Sequence, residues 1–179
     1  MTRHARALGI VGLTLVLVLP LAAQHRRDPL NPSEVDQLRD AMLDPDTRLK
    51  LYLKFARDRM TTLEKMRSDP KTTDRPHQTH ELLADFLAIY DELNDNIDMY
   101  VGRKDDIRKP LKVIIEADTE FQSKLRAIKD SANTDAAESK QYEFALTNAI
   151  DTIDSSADDH RKTAADVEEY LKEKKKTKK

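Results

Sequence analysis

The sequence predicts an all-α protein: an antiparallel up-down four-helix bundle with a short helical leader, following a cleaved N-terminal signal peptide. Three observations predict it. Apolar residues recur at intervals of three and four through long charged stretches, the spacing of helices with one buried face. No run of β-branched residues alternates with polar ones in the manner of a strand. The chain holds three glycines, two of them at positions 9 and 12, so the remainder has only Gly102. One glycine is too few for a phosphate-cradling loop.

Composition narrows the class further. Of 179 residues, 36% are charged, 39% hydrophobic and 5% aromatic, with neither Trp nor Cys. This excludes a multi-pass membrane protein, a disulfide scaffold and a thiolate metal site. The length suits one domain with a single core. Arg3, His4 and Arg6 form a basic head, residues 7–19 an apolar run, and Ala22 and Ala23 follow Pro20. That order is the layout of a secretory signal, with cleavage expected after Ala23. An uncleaved anchor is the alternative, although residues 7–23 reach only the short limit for a membrane span. The expected location is therefore periplasmic or secreted, at a bacterial envelope.

Without the signal the chain has 29 basic and 33 acidic residues, a net charge of −4. Six lysines and one glutamate in residues 171–179 give the tail +5, leaving about −9 for the body. An acidic body repels phosphate backbones, so nucleic acid is not an expected partner.

Residues 24–32 read as a flexible linker and 33–171 as the helical bundle domain. Ser33 is the expected N-cap of a leader helix over residues 34–43, with Val35, Leu38 and Met42 on one face. Pro45 suits the first turn of a second helix, whose Leu49, Leu53, Ala56, Met60 and Leu63 keep the seam spacing of packed helices. Tyr52, Phe55 and Met66 widen that stripe. After a polar loop with Pro70 and Pro76, a helix begins near Thr79 and buries Leu82, Phe86, Ile89, Leu93, Ile97 and Tyr100. Gly102 is its expected left-handed cap. The next helix starts at Asp105 or Asp106, carries Pro110 in its first turn, and aligns Ile107, Leu111, Ile114, Phe121, Leu125 and Ile128. Residues 130–135 form the following loop, with Asn133 or Thr134 as cap. One long helix then covers residues 136–174, its seam running from Tyr142 through Ala157, His160 and Ala164 to Leu171. Short connections imply antiparallel neighbours. Residues 172–179 form a polybasic flexible tail.

Few residues point to chemistry. His77, His80 and Glu81 have the i, i+3, i+4 spacing of a metal site on one helix face. Glu-x-x-His is absent, which excludes a dinuclear carboxylate centre. His160 falls on an apolar seam between Ala157 and Ala164, which leave room beside it. An early-helix Met and a late-helix His can clamp a haem. In this the chain resembles a b-type cytochrome bundle, which would pair His160 with Met42, Met60 or Met66. Asp118 and Asn96 stand where the seam wants apolar residues; a small register drift that substitutes Ala117 and Ile97 is the expected resolution. Lys174, Lys175, Lys176, Lys178 and Lys179 form a candidate anionic-surface site, for lipid or wall polymer. No nucleophile stands beside a histidine in a catalytic motif, and no motif demands a cofactor. The expected function is non-enzymatic: an envelope adaptor or chaperone-like binder whose partner is an envelope protein, with a homo-oligomer left open. The alternative is a carrier of haem or a metal through His160 or His77 and His80.

Overall fold

The computed structural model describes residues 28–132 and 136–177, and these are helical, with no strand among them. The expected signal segment, the expected Asn133 or Thr134 cap, Lys178 and Lys179 lie outside the described residues. The elements are α1 (Pro32–Asp40), α2 (Pro45–Ser68), α3 (Arg75–Gly102), α4 (Arg108–Ala132), the one-turn α5 (Ala136–Ser139) and α6 (Glu143–Lys176). No helix among the described residues is long and apolar enough to cross a membrane.

The leader helix starts earlier than Ser33. Pro32 pre-sets the first helical position, and the Asn31 side chain caps the Glu34 N–H at 3.0 Å. Glu34 returns the bond to the Asn31 N–H at 2.9 Å, completing a capping box. The same carboxylate receives both Arg59 Nη atoms, at 2.9 and 2.6 Å, and Arg59 also donates to the Pro29 carbonyl. One buried glutamate thus closes α1 and pins it to α2. The helix ends at Asp40, so Ala41 is buried and Met42, expected on the inner face, is left outside.

Residues predicted for the core of α2 and α4 are buried as expected: Leu49, Leu53, Ala56, Met60 and Leu63 in α2, and Ile107, Leu111, Ile114, Phe121, Leu125 and Ile128 at α4. Helix α3 begins at Arg75 rather than Thr79, because Pro76 fits inside the first turn. Its buried face includes Leu83 and Tyr90, with Leu82 only partly covered. The expected single helix after residue 135 is broken into α5 and α6. The break falls where Tyr142 is buried beneath Arg67, whose guanidinium stands 5.3 Å from the ring centroid and 3.2 Å from the hydroxyl. No glycine or proline marks that break in the sequence.

Helix α2 packs on α3 and α4, and α6 packs on α4 and α3. Cross-links give the directions. Arg48–Asn96 and Arg67–Thr79 make α2 and α3 antiparallel, whereas Arg57–Glu120 and Lys124–Glu64 make α2 and α4 parallel. Helices α3 and α4 therefore lie diagonally across the core, not side by side. Five residues can span about 17 Å, more than the diagonal of helices packed 8–10 Å apart, roughly 13 Å. A short connection thus permits this crossing as readily as adjacency.

That connection also corrects the expected cap. Gly102 is the last residue of α3 and has no positive φ, and Lys104 takes the left-handed conformation at φ 61°. A Cβ on Gly102 would meet nothing within 4 Å. Exchanging the residues should therefore help twice. Lys104→Gly relieves a left-handed penalty of about 1 kcal/mol, and Gly102→Ala removes helix-interior flexibility worth up to about 1 kcal/mol; denaturant titration of each variant measures both.

A second expectation concerns acid. Burial pushes the Glu34 carboxyl up, but the Arg59 hydrogen bond, the Asn31 N–H and the Arg59 and Lys54 charges outweigh it, and the net shift is downward. A depressed carboxyl contributes stability above its ordinary value, about 4.3, and loses it as pH falls through the lower folded value. Amide exchange in α1 should rise in that acidic window, and Glu34→Gln should abolish the dependence.

Candidate functional site

The polar groups most deeply placed lie between α3, α4 and α6. Tyr90 and Asp118 are fully buried, His160 is 4% exposed and Ser156 8%. The Tyr90 hydroxyl donates to Asp118 Oδ1 at 2.6 Å, and His160 Nδ1 lies 2.9 Å from Asp118 Oδ2. On the other side of the ring, His160 Nε2 lies 3.1 Å from Asn94 Oδ1. Asn94 Nδ2 donates to Ser156 Oγ at 3.0 Å, and Ser156 lies close enough to the Tyr90 phenol to act on its ionisation. Four hydrogen bonds link the five groups in one chain.

Local sequence explains the assembly. Tyr90 and Asn94 are one helical turn apart on α3, as are Ser156 and His160 on α6, so each pair projects along one face. The two helices run parallel, which sets the pairs side by side. Asp118 enters from α4, directly antiparallel to α6. The small Ala157 is fully buried beside the cluster. Phe121 packs edge-on to Phe86 and Tyr90, with centroids 5.1 and 6.1 Å away, and seals the cluster on the core side.

Electrostatics follow from the burial. With the Asn94 amide in this orientation, both ring nitrogens of His160 face oxygen atoms. Burial first, and then the Asp118 carboxylate and its hydrogen bond, push the Tyr90 phenol far above its ordinary range. Every member has a partner, so the cluster meets the condition under which a buried polar network stabilises and does not penalise the core.

No family model, curated protein or solved structure matches this chain. The site must therefore be read from its own geometry. Ligation by His160 needs a ring-nitrogen lone pair, and both nitrogens are already engaged. A haem would require the ring to give up Asp118 and Asn94. Met60, its suggested partner, is fully buried on α2, diagonally across from α6. His77 Nε2 lies 3.6 Å from Glu81 Oε1 on an exposed first turn, and His80 is exposed. Among the described residues no three His, Cys, Asp or Glu side chains converge as a metal site would need. Lys174, Lys175 and Lys176 are exposed on the last turn of α6, with the Lys174 ammonium 5.7 Å from the Tyr170 ring.

The expected register drift at Asp118 and Asn96 does not occur. Ala117 and Ile97 are buried, and so are Asp118 and Asn96, because each helix face is wide enough to bury both. Asn96 accepts from Arg48 Nε at 2.9 Å and donates to the Glu92 carbonyl at 2.7 Å. Sequence reasoning missed Tyr90, Asn94 and Ser156. The available signal was a pair of polar residues at i, i+4 on two different seams.

Removing one member should leave its partner buried and unsatisfied. Tyr90→Phe and His160→Gln should each lower stability by about 1–3 kcal/mol, and the double variant by less than their sum. Wild-type stability should fall as pH rises above about 10, because the unfolded phenol ionises and the folded one does not. Tyr90→Phe should flatten that alkaline limb in denaturant titrations.

Proposed function

We propose that the chain is an exported, non-enzymatic protein of the bacterial envelope, acting as an adaptor or chaperone-like binder. In this reading residues 1–23 are removed after Ala23, and the periplasmic or secreted product is an up-down four-helix bundle with a short helical leader. The observation that carries the reading is an inversion of what is covered. The grouped polar chemistry is closed inside and satisfied by itself, while large apolar side chains stand outside it. Leu43 is 90% exposed and Phe144 85%. Met42, beside Leu43 on the α1–α2 turn, is also exposed, and methionine accommodates varied apolar surfaces. Met42 and Leu43, adjacent on one turn, are the apolar contact that this reading assigns to a partner.

An enzyme would need a reactive group open to substrate, yet His160 is spent on two hydrogen bonds and the Ser156 hydroxyl is turned toward Asn94 and Tyr90. Purification of the tagged protein from its own envelope, followed by mass spectrometry, tests the reading. A reproducible envelope partner should co-elute and be lost with Leu43→Asp or Phe144→Asp, two exposed changes that leave the fold intact. A partnerless protein, or one whose partner tolerates both changes, would overturn it. A Soret band in the same preparation would replace it with haem carriage.

A further inference from the structure

The lysine tail is not alone at its end of the molecule. Helix α6, with 34 residues, is the longest and runs parallel to α3. Its final turns therefore arrive where α3 ends and α4 begins. The Lys104 ammonium of the α3–α4 turn lies 5.3 Å from the Tyr170 ring centroid, and that of Lys174 lies 5.7 Å from the same ring. Arg108, in the first turn of α4, acts on Glu168 of α6. Three segments separated in sequence thus converge on one end, carrying Lys104, Lys109, Lys112, Lys174, Lys175 and Lys176, all exposed.

Three of the local carboxylates are engaged with other cations, while Glu169 and Glu173 stand exposed on the last turns of α6. Asp106 pairs with Arg108 at 2.6 Å, Asp105 with Arg103 at 3.2 Å, and Glu168 with Lys172 at 2.9 Å. Among the described residues, none of the six lysines forms a salt bridge with a carboxylate. The α3–α4 corner and the α6 terminus form a cationic side of this end, beside the α1–α2 turn with Asp40 and Asp44, and on an acidic body this separation would orient the molecule toward a negative surface.

We propose that this end is a composite docking surface for an anionic lipid bilayer, approached end-on, with the α3–α4 corner and the α6 terminus acting together. The proposal deepens the binder reading by adding a surface, and it rests on the exported location in that reading. The shape of the site favours a bilayer over a linear polyanion. A soluble chain is held best in a cationic groove, but the groove between α4 and α6 sets Glu116 and Glu168 beside Arg108 and Lys112. The six lysines are instead spread over an end face. Tyr170, half-buried among them, suits the headgroup region, where aromatic rings collect.

Vesicle sedimentation at low and high salt tests this, using protein purified from its own cells. The probes are vesicles of phosphatidylcholine alone and of phosphatidylcholine with phosphatidylglycerol in equal parts. Binding should require phosphatidylglycerol and fall with salt. Each lysine near such a surface contributes about fivefold in partitioning, so Lys104→Glu/Lys109→Glu/Lys112→Glu should weaken it roughly a hundredfold or more. Lys174→Glu/Lys175→Glu/Lys176→Glu should do the same. The pair Lys109→Glu/Lys112→Glu, which leaves the Lys104 turn untouched, should weaken binding by an intermediate factor and guards against a folding defect in the triple variant.

Unchanged binding in the corner variants would overturn the composite surface and leave only a basic tail. Equal binding to phosphatidylcholine alone would assign attachment to apolar residues, and capture of soluble polyphosphate without vesicle binding would assign the end to a polyanion; both overturn the proposal. Binding that requires phosphatidylglycerol, in a protein that co-elutes with no envelope partner, would uphold this proposal while the binder reading fails.

Discussion

The buried pair of Asp118 and His160 is the constraint on which the arrangement of the helices depends. Two ionisable groups are enclosed where water cannot screen or solvate them, and such groups are tolerated only when paired and hydrogen-bonded. Tyr90, Asn94 and Ser156 supply the remaining bonds. Because Asp118 belongs to α4, His160 to α6, and Tyr90 and Asn94 to α3, satisfaction is reached at one relative height of three helices. Apolar seams alone do not impose this: shifting a helix by a turn exchanges one leucine for another at modest cost. A turn's shift here would strand a carboxylate in the core. The cluster therefore acts as a register device, the best-attested use of buried polar groups in packed helices.

Two arginines repeat the principle toward the ends. Arg48 donates to the Leu38 carbonyl, the Asn96 amide and the Tyr52 hydroxyl at 2.6, 2.9 and 3.2 Å, joining α1, α2 and α3. Arg67 reaches Thr79, Ser131 and Tyr142, joining the far end of α2 to α3, α4 and the start of α6. The planar guanidinium presents several donors in fixed directions, so one side chain can meet several helices at once. The polar ties thus stand near both ends and in the middle, while aromatic and aliphatic side chains fill the levels between them. The diagonal placement of α3 and α4 makes the middle tie the most consequential, since these helices meet across the core through Tyr90, Phe86, Phe121 and Asp118.

This division of labour shapes the functional reading. A polar cluster used to hold helices in register is not available for exchange with a substrate. Activity is then sought at the surface, where the molecule is asymmetric. One end gathers cations from the α3–α4 corner and the α6 terminus, while exposed apolar groups stand on the α1–α2 turn and at the start of α6. Attachment and recognition are the tasks such an outside can perform, and the supporting features are separate enough to be altered one at a time.

The sequence by itself determined the helical class, the span of α2 and most of the apolar core. Those properties follow from three-to-four periodicity and from where Pro45 and Pro110 can stand, both local. It also contained the Asn31–Glu34 capping box and the polar residues at seam positions. What those polar residues do was decided only in three dimensions. A seam position says that Asp118 faces inward, but not that Tyr90 and His160 arrive beside it from helices 28 and 42 residues away along the chain. Likewise the short α3–α4 connection fitted adjacency and a diagonal equally well, and the choice fell to which faces could satisfy one another. The break before α6 has the same origin. Long-range packing overrides local preference when a buried partner must be met, and periodicity carries no record of the partner.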